Sequence, residues 1–216
     1  GRLFFTVATF RAKFENKFTT IAVPNPSNTT TLYTYVVNGG SMKNDGLEVL
    51  AKYDVVRSGT GFFSLLRPFA SLTLSDFKYG HFTFERVGKN SLNKDSVIIE
   101  NYSGSEVAGT PPVIFSAGAD ADTKIGVYAN VHLNYRSGML FTSDGQNRTD
   151  AYTLLNAKLG YRRFFGRWSL DVFAGASNIT GEQYYHMVFV NQLPDAYIPA
   201  PKDANFFGGA SLKVHL

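Results

Sequence analysis

At 216 residues, with a net charge of +4, 18% charged residues and no cysteine, the chain fits one all-β domain or part of a larger one and excludes a disulfide scaffold or a thiolate metal site. Its 19 Phe and 12 Tyr make it aromatic-rich and charge-poor for a soluble domain. No run reaches the roughly 18 apolar residues of a membrane helix, so a membrane location would have to be reached through strands, and the scattered basic residues form no nucleic-acid track.

Taken in order, the chain alternates with a period of two. Between Leu3 and Glu15, Phe4, Ala8, Phe10, Ala12 and Phe14 oppose Arg11, Lys13 and Glu15. Asn16 to Thr31 loses periodicity, and its Pro24, Asn25, Pro26, Ser27 and Asn28 predict a loop. Gly46 to Val56 alternates again, with Leu47, Val49, Ala51, Tyr53 and Val55 opposite Glu48, Lys52 and Asp54, and Arg57 to Gly61 reads as hairpin punctuation rather than a phosphate loop. Phe69 to Phe77 predicts the next strand. Gly80 to Gly109 is polar and mixed, as expected of a functional or disordered loop. Val113 to Ala119, a turn over Asp120 to Lys124 and Ile125 to Arg136 follow; in the last, Val127, Ala129, Val131, Leu133 and Tyr135 oppose Asn130, His132, Asn134 and Arg136.

From Ala151 onward three alternating runs remain. Leu155, Ala157, Leu159 and Tyr161 oppose Asn156, Lys158 and Arg162; Trp168, Leu170, Val172 and Ala174 oppose Ser169 and Asp171; Ala210, Leu212, Val214 and Leu216 oppose Ser211, Lys213 and His215. No charge interrupts these three apolar faces. Eight strands result, and their connections sort by end. Arg57 to Gly61, Asp120 to Lys124 and Phe164 to Gly166 are short; Asn16 to Thr31, Gly80 to Gly109, Ser137 to Asp150 and about Asn178 to Ala204 are long. A soluble sandwich has no reason for this sorting, whereas an outer-membrane barrel keeps short periplasmic turns and long extracellular loops. An antiparallel transmembrane β-barrel is therefore the predicted fold. Tyr53, Tyr161 and Trp168, near the short turns, are expected in an aromatic girdle at the periplasmic interface.

Several motifs then carry a family resemblance. The run from Tyr35 to Glu48, with its Asn38-Gly39-Gly40 and Gly46-Leu47-Glu48, the Gly109-Thr110-Pro111-Pro112 strand start, Phe173 to Thr180 followed by Tyr184-Tyr185, and Pro199 to Gly209 before the last strand together resemble the C-terminal part of a TonB-dependent outer-membrane receptor. The chain departs from the usual pattern in having Pro201-Lys202-Asp203 before the final strand and Leu216, not an aromatic residue, at the end. The resemblance implies the last eight or so strands of a barrel of about 22, with residues 1–216 a single C-terminal barrel segment of a longer mature protein and the plug and TonB-binding segment outside it. It implies a transport receptor of the Gram-negative cell outer membrane, without enzyme activity or cofactor. Its loops would capture a scarce ligand such as a ferric siderophore, imported with TonB-coupled energy; outer-membrane lipid, the plug domain and the TonB complex would be its partners.

Within that frame, Glu48, Lys52, Asp54, Asn130, His132, Asn134, Arg136, Lys158, Arg162 and Asp171 are expected to face the lumen or plug, and Tyr184, Tyr185 and His186 to approach ligand from a long outer loop. The four histidines have no partner at metal-ligand spacing, and no nucleophile elbow occurs. Alternative readings are an independent eight-stranded barrel with a structural or adhesive role, a secreted carbohydrate-binding β-sandwich, and an outer-membrane hydrolase.

Overall fold

The computed structural model describes residues 1–24, 31–38, 40–58, 60–89, 91–92, 94–192 and 196–214. Eight long strands form one wall: β1 (Leu3–Phe14), β4 (Met42–Tyr53), β6 (Phe63–Tyr79), β9 (Val113–Thr123), β10 (Val127–Arg136), β11 (Tyr152–Phe165), β12 (Trp168–Ser177) and β15 (Asn205–Val214). They pair in chain order, each antiparallel to the next, with the two-residue β5 (Val56–Arg57) laid on β6. The long connections carry their own hairpins: β2 (Phe18–Pro24) with β3 (Thr31–Asn38), β7 (Thr83–Lys89) with β8 (Asp95–Asn101), and β13 (Tyr185–Val188) with β14 (Tyr197–Pro199).

These hairpins correct two expectations. Asn16 to Thr31 is not simply loop, because Phe18–Pro24 pairs with Thr31–Asn38; nor is Gly80 to Gly109, because Thr83–Lys89 pairs with Asp95–Asn101 in unbroken register. Neither segment alternates cleanly, yet backbone pairing needs no continuous apolar face. The expected turn at Asp120 to Lys124 also moves. Asp120, Ala121, Asp122 and Thr123 pair into β9, and the reversal falls at Lys124 to Gly126, where Gly126 adopts φ 96°. The expected loop residues Asn25, Pro26, Ser27 and Asn28 and the outward register of Leu216 lie outside the described residues.

Register fixes which side chains share a face, since directly paired residues point the same way. One chain of pairs runs Phe4, Lys52, Phe69, Gly118 and His132 to Asn156, and another joins Lys158, Gly175 and Phe207 on the same side. We call this the Asn130 face. It collects Glu48, Asn130, His132, Asn134, Arg136, Arg162 and Asp171, and it also takes the Phe4, Ala8 and Phe10 set of β1. The apolar set of β1 thus sits with the polar residues of its neighbours, and Leu3, Phe5 and Val7 occupy the other side. That other side, the Val131 face, runs through Leu47, Leu72, Phe115, Val131, Ala157, Ala174 and Ala210 without a charge across the middle of the wall.

The two faces are built differently. On the Asn130 face five aromatic rings each lie over the glycine directly opposite: Phe10 over Gly46, Phe69 over Gly118, Tyr128 over Gly160, Phe207 over Gly175 and Phe173 over Gly209. A Cβ at Gly160 would come within 2.2 Å of the Tyr128 ring, so each glycine lets a ring lie along the wall instead of projecting from it. The Val131 face has no such covers. Val131 is 45% exposed, Leu159 60% and Leu212 64%.

Pro68 is placed where β6 changes neighbours. Pairing with β4 ends at Phe69 and pairing with β5 begins at Leu66. A residue with no N–H to give is accommodated at such a gap.

Candidate functional site

The buried core lies in a cap at the long-connection end, where the first residue of β4 and the last of β6 join it, and not in the middle of the wall. Met42, Tyr79, Phe82, Val107, Leu140, Phe141, Ala196 and Ala200 are buried, Phe82 fully. Phe82 stands edge-on to Tyr79 at 4.7 Å and to Tyr102 at 5.5 Å. Lys17 is drawn over this cluster, its amine 3.4 Å from the Met42 sulfur and 5.6 Å from the Tyr79 ring centre, and burial lowers its pKa.

Hydrogen bonds tie the connections to one another. The Tyr79 hydroxyl is 2.9 Å from Ser143 Oγ; Asn191 Oδ1 accepts the Ser143 N–H at 2.7 Å, and its Nδ2 donates to Ser143 Oγ at 3.0 Å. Asn191 has φ 58°, a conformation asparagine tolerates better than most residues. Asn178 works similarly where β12 leaves the wall. It adopts φ 52°, is buried, and clips Glu182 from both sides, Nδ2 donating to the Glu182 carbonyl and Oδ1 accepting its N–H, each at 2.9 Å. This clip aims the following Tyr184 and Tyr185 back over the end of the wall.

There a cleft of about 370 Å³ opens, lined among others by Arg136, Asp150, Tyr152, Tyr184, His186 and Lys202. Arg136 and Tyr152 are paired residues at the last rung of β10 and β11, on the Asn130 face. The guanidinium carbon is 5.9 Å from the Tyr152 ring centre, and Tyr152 stacks on Tyr184 at 4.7 Å and 29°. Tyr185 stacks on Tyr197 at 4.1 Å, and Tyr197 meets Phe141 edge-on at 5.9 Å. Burial first, and then neighbouring Tyr197, raise the Tyr185 pKa, keeping the phenol protonated and able to donate. The cleft therefore offers flat aromatic surface beside cationic groups, suited to a planar anionic ligand.

Of the residues singled out in the sequence, Tyr184, Tyr185, His186 and Arg136 meet at this cleft. Asp171 accepts from Tyr128 Oη at 2.7 Å and from Arg162 at 2.6 Å, while the Lys158 amine sits 4.0 Å from the Phe173 ring centre. Asn130 donates to Asp120 and lies 3.0 Å from His132, which meets Asn156 at 3.2 Å; Asn134 accepts from Ser116 at 2.8 Å. Among the described residues, Glu48 and Lys52 enter no side-chain hydrogen bond or ion pair. Asp54 stands apart from the set. It is buried in the corner after β4, where Arg67 donates to it at 2.6 Å and holds its pKa low. Tyr53 and Trp168 are exposed on the Val131 face at the short-turn end, and Tyr161, on that face too, accepts from Arg163 at 3.2 Å. Tyr152 was not foreseen at the cleft, nor were Tyr197 and Phe141 behind Tyr185; the signal for Tyr152 was its place opposite Arg136, visible once the register is known. Among the described residues no group of three or more His, Cys, Asp or Glu could hold a metal ion.

Comparison with known proteins agrees with this architecture. No curated protein matches the chain. Among solved structures, the siderophore receptor PiuA from Acinetobacter baumannii superposes with a TM-score of 0.67 at 15% identity, over 98% of this chain and 26% of that one. The ferric citrate transporter FecA in its unliganded form gives 0.66 at 16%, over 99% and 29%, and the ferric preacinetobactin receptor BauA from Acinetobacter baumannii 0.64 at 14%, over 99% and 28%. The chain thus spans under a third of the length of these structures and shares their fold. The family described as TonB dependent receptor-like, beta-barrel matches residues 1–179, and with a Val131 face free of charge across the middle of the wall, the one-ended long connections and the open antiparallel wall, the chain belongs to that family.

Proposed function

We propose that this chain is wall and cap of an outer-membrane receptor that captures an anionic iron complex with aromatic ligand groups and imports it with TonB-coupled energy. The Arg136–Tyr152–Tyr184 stack in the cleft carries the reading: a guanidinium and a ring on one rung, with a second ring stacked on the first, suit an aromatic chelate of net negative charge. The names of the structural relatives, two ferric-complex receptors and a siderophore receptor, support the iron-complex class. The wall is the C-terminal segment of a larger barrel in the Gram-negative cell outer membrane. Its Val131 face meets lipid and its Asn130 face, with Glu48, Lys52, Lys158 and Asp171, lines the lumen around a plug carried elsewhere in the protein. The ends of the described sheet, β1 and β15, are not paired with each other, which favours a segment over a closed eight-stranded barrel. Tyr53, Tyr161 and Trp168 sit at the periplasmic interface, and the cap faces the exterior.

Equilibrium binding to the full-length receptor in detergent tests the site. Tyr184→Ala and Arg136→Gln should each weaken a ferric tris-catecholate by about tenfold, roughly 1.4 kcal/mol, and affect ferric citrate less. Unchanged catecholate affinity in both variants would contradict the assignment. Orientation is tested on intact cells: a Cys at Ser103 should react with an impermeant reagent, and labelling at Ser58 instead would reverse it.

A further inference from the structure

We propose that the rim of the Val131 face above β1, β4 and β6 binds the phosphorylated head group of an outer-leaflet lipid, held by the side-by-side lysines Lys13, Lys43 and Lys78. The inference rests on the membrane reading above but concerns a different surface from the ligand cleft. Lys13 is paired with Lys43, and Lys43 with Lys78, so three like charges stand on adjacent strands on one face. Strands are about 4.8 Å apart, and like charges directly opposite are destabilising unless an anion sits among them.

Nearby carboxylates only partly supply that anion. In the next row toward the middle of the wall, Arg11, Asp45 and Asp76 are paired in the same way. Asp45 is already engaged by Arg11 at 2.7 Å and Lys43 at 2.8 Å, and Asp76 by Lys78 at 3.0 Å. Glu106, bridged opposite Lys78, is taken by Arg148. Glu15 follows β1 beyond the last paired residue, Phe14. Among the described residues Lys13 has no carboxylate partner, and the side chains of Lys43 and Lys78 remain 47% and 51% exposed. The two rows hold four cations against two carboxylates.

What lies below the rows decides what kind of anion fits. Thr9, Leu47 and Leu74 form the next row, then Val7, Val49 and Leu72, then Phe5, Ala51 and Ala70, all without charge. Ammonium groups above an apolar strip match a phosphate attached to acyl chains: each lysine offers three donors to phosphate oxygens, and the strip takes the hydrocarbon. A free phosphate would use only the upper half of this surface. The short-turn end of the same face has no such row over these strands, where Leu3 pairs with Tyr53.

The test uses the full-length receptor purified in detergent and native mass spectrometry with lipid A carrying both phosphates, the same lipid enzymatically dephosphorylated, and inorganic phosphate. Wild type should retain the bisphosphorylated lipid at least about tenfold better than the dephosphorylated one. Inorganic phosphate at equal concentration should not displace it. Lys13→Gln/Lys43→Gln/Lys78→Gln should lose that preference, and the corresponding triple arginine variant should keep it. Equal retention of the two lipids by wild type, or displacement by inorganic phosphate alone, would overturn the proposal, and neither outcome depends on a variant folding. Heat-resistant migration and urea-resistant membrane association, measured on wild type alongside, separate this failure from failure of the membrane reading.

Discussion

Wall and cap are held together by different means. The cap buries Phe82, Tyr79, Met42 and Val107 against one another as a globular domain would, whereas the wall buries little on either face and relies on continuous antiparallel pairing from β1 to β15. On the proposed reading, the burial that the wall lacks is supplied by hydrocarbon on the Val131 face and by water or another domain on the Asn130 face. The cap needs neither, because its apolar groups find each other and its polar turns are closed by Asn178, Asn191 and Ser143. A charge should therefore be punished on one face of the wall and tolerated on the other, while the cap should be sensitive to lost hydrogen bonds.

The largest expected effect separates the faces of the wall. In the full-length receptor, Val131→Arg or Leu170→Arg should cost about 2 to 4 kcal/mol and reduce assembly. Asn130→Arg should cost less than about 1 kcal/mol, because Asp120 accepts from this position already and the face is polar. Val131→Trp should be accommodated by lipid. Folded yield of the four variants checks this, and equal loss of Val131→Trp and Val131→Arg would instead indicate a packed core on that side.

A smaller effect should come from filling a glycine. A Cβ at Gly118 would lie 2.4 Å from the Val131 carbonyl oxygen and 2.6 Å from the Phe69 ring. Gly118→Ala should cost about 1 to 3 kcal/mol by forcing strand and ring apart, read as a lower midpoint in urea unfolding; Gly145→Ala has open space around its Cβ, although its φ of 74° adds local strain. In the cap, Asn178→Ala removes both contacts to Glu182 from a positive-φ position and should cost about 1 to 2 kcal/mol locally. It should show as faster protease cleavage within residues 178–204 and weaker ligand binding, with the wall intact.

The smallest effect is acid-dependent. Arg67 depresses the pKa of Asp54, so the pair stabilises the corner after β4 above the ordinary carboxylate range, and this contribution falls away as the pH drops below about 4 toward the depressed value. The thermal stability gap between wild type and Asp54→Asn should be open at pH 6 and narrow toward pH 3. A gap that widens in acid would contradict the ion pair.

Much of the wall was legible because a period of two survives in every long strand, and eight strands with connections sorted by end follow from it. Register was not legible. Alternation gives two sets per strand without saying which sets align, so the aromatic set of β1 came to rest beside Glu48 and Lys52. Mid-strand Gly46, Gly118, Gly160, Gly175 and Gly209 were the available signal, since each marks a close approach whose partner is an aromatic on the next strand. The hairpins of the cap were hidden because their pairing is made by backbone groups in polar sequence. The cleft was half visible: Tyr184, Tyr185 and His186 stood out as aromatics beside a long loop, but Tyr197 and Phe141, which support Tyr185 from behind, come from segments without a pattern.

The most direct test of the central claim, that the Val131 face meets lipid and the Asn130 face the lumen, is spin-label accessibility along β10 in the full-length receptor in bilayers. Single labels at positions 128 to 134 should alternate with a period of two, those at Ala129, Val131 and Leu133 favouring oxygen dissolved in the bilayer and those at Tyr128, Asn130, His132 and Asn134 favouring a water-soluble nickel chelate. Labels at Val131 and Asn130 that are equally open to the nickel chelate, or an alternation of the opposite phase, would contradict the account.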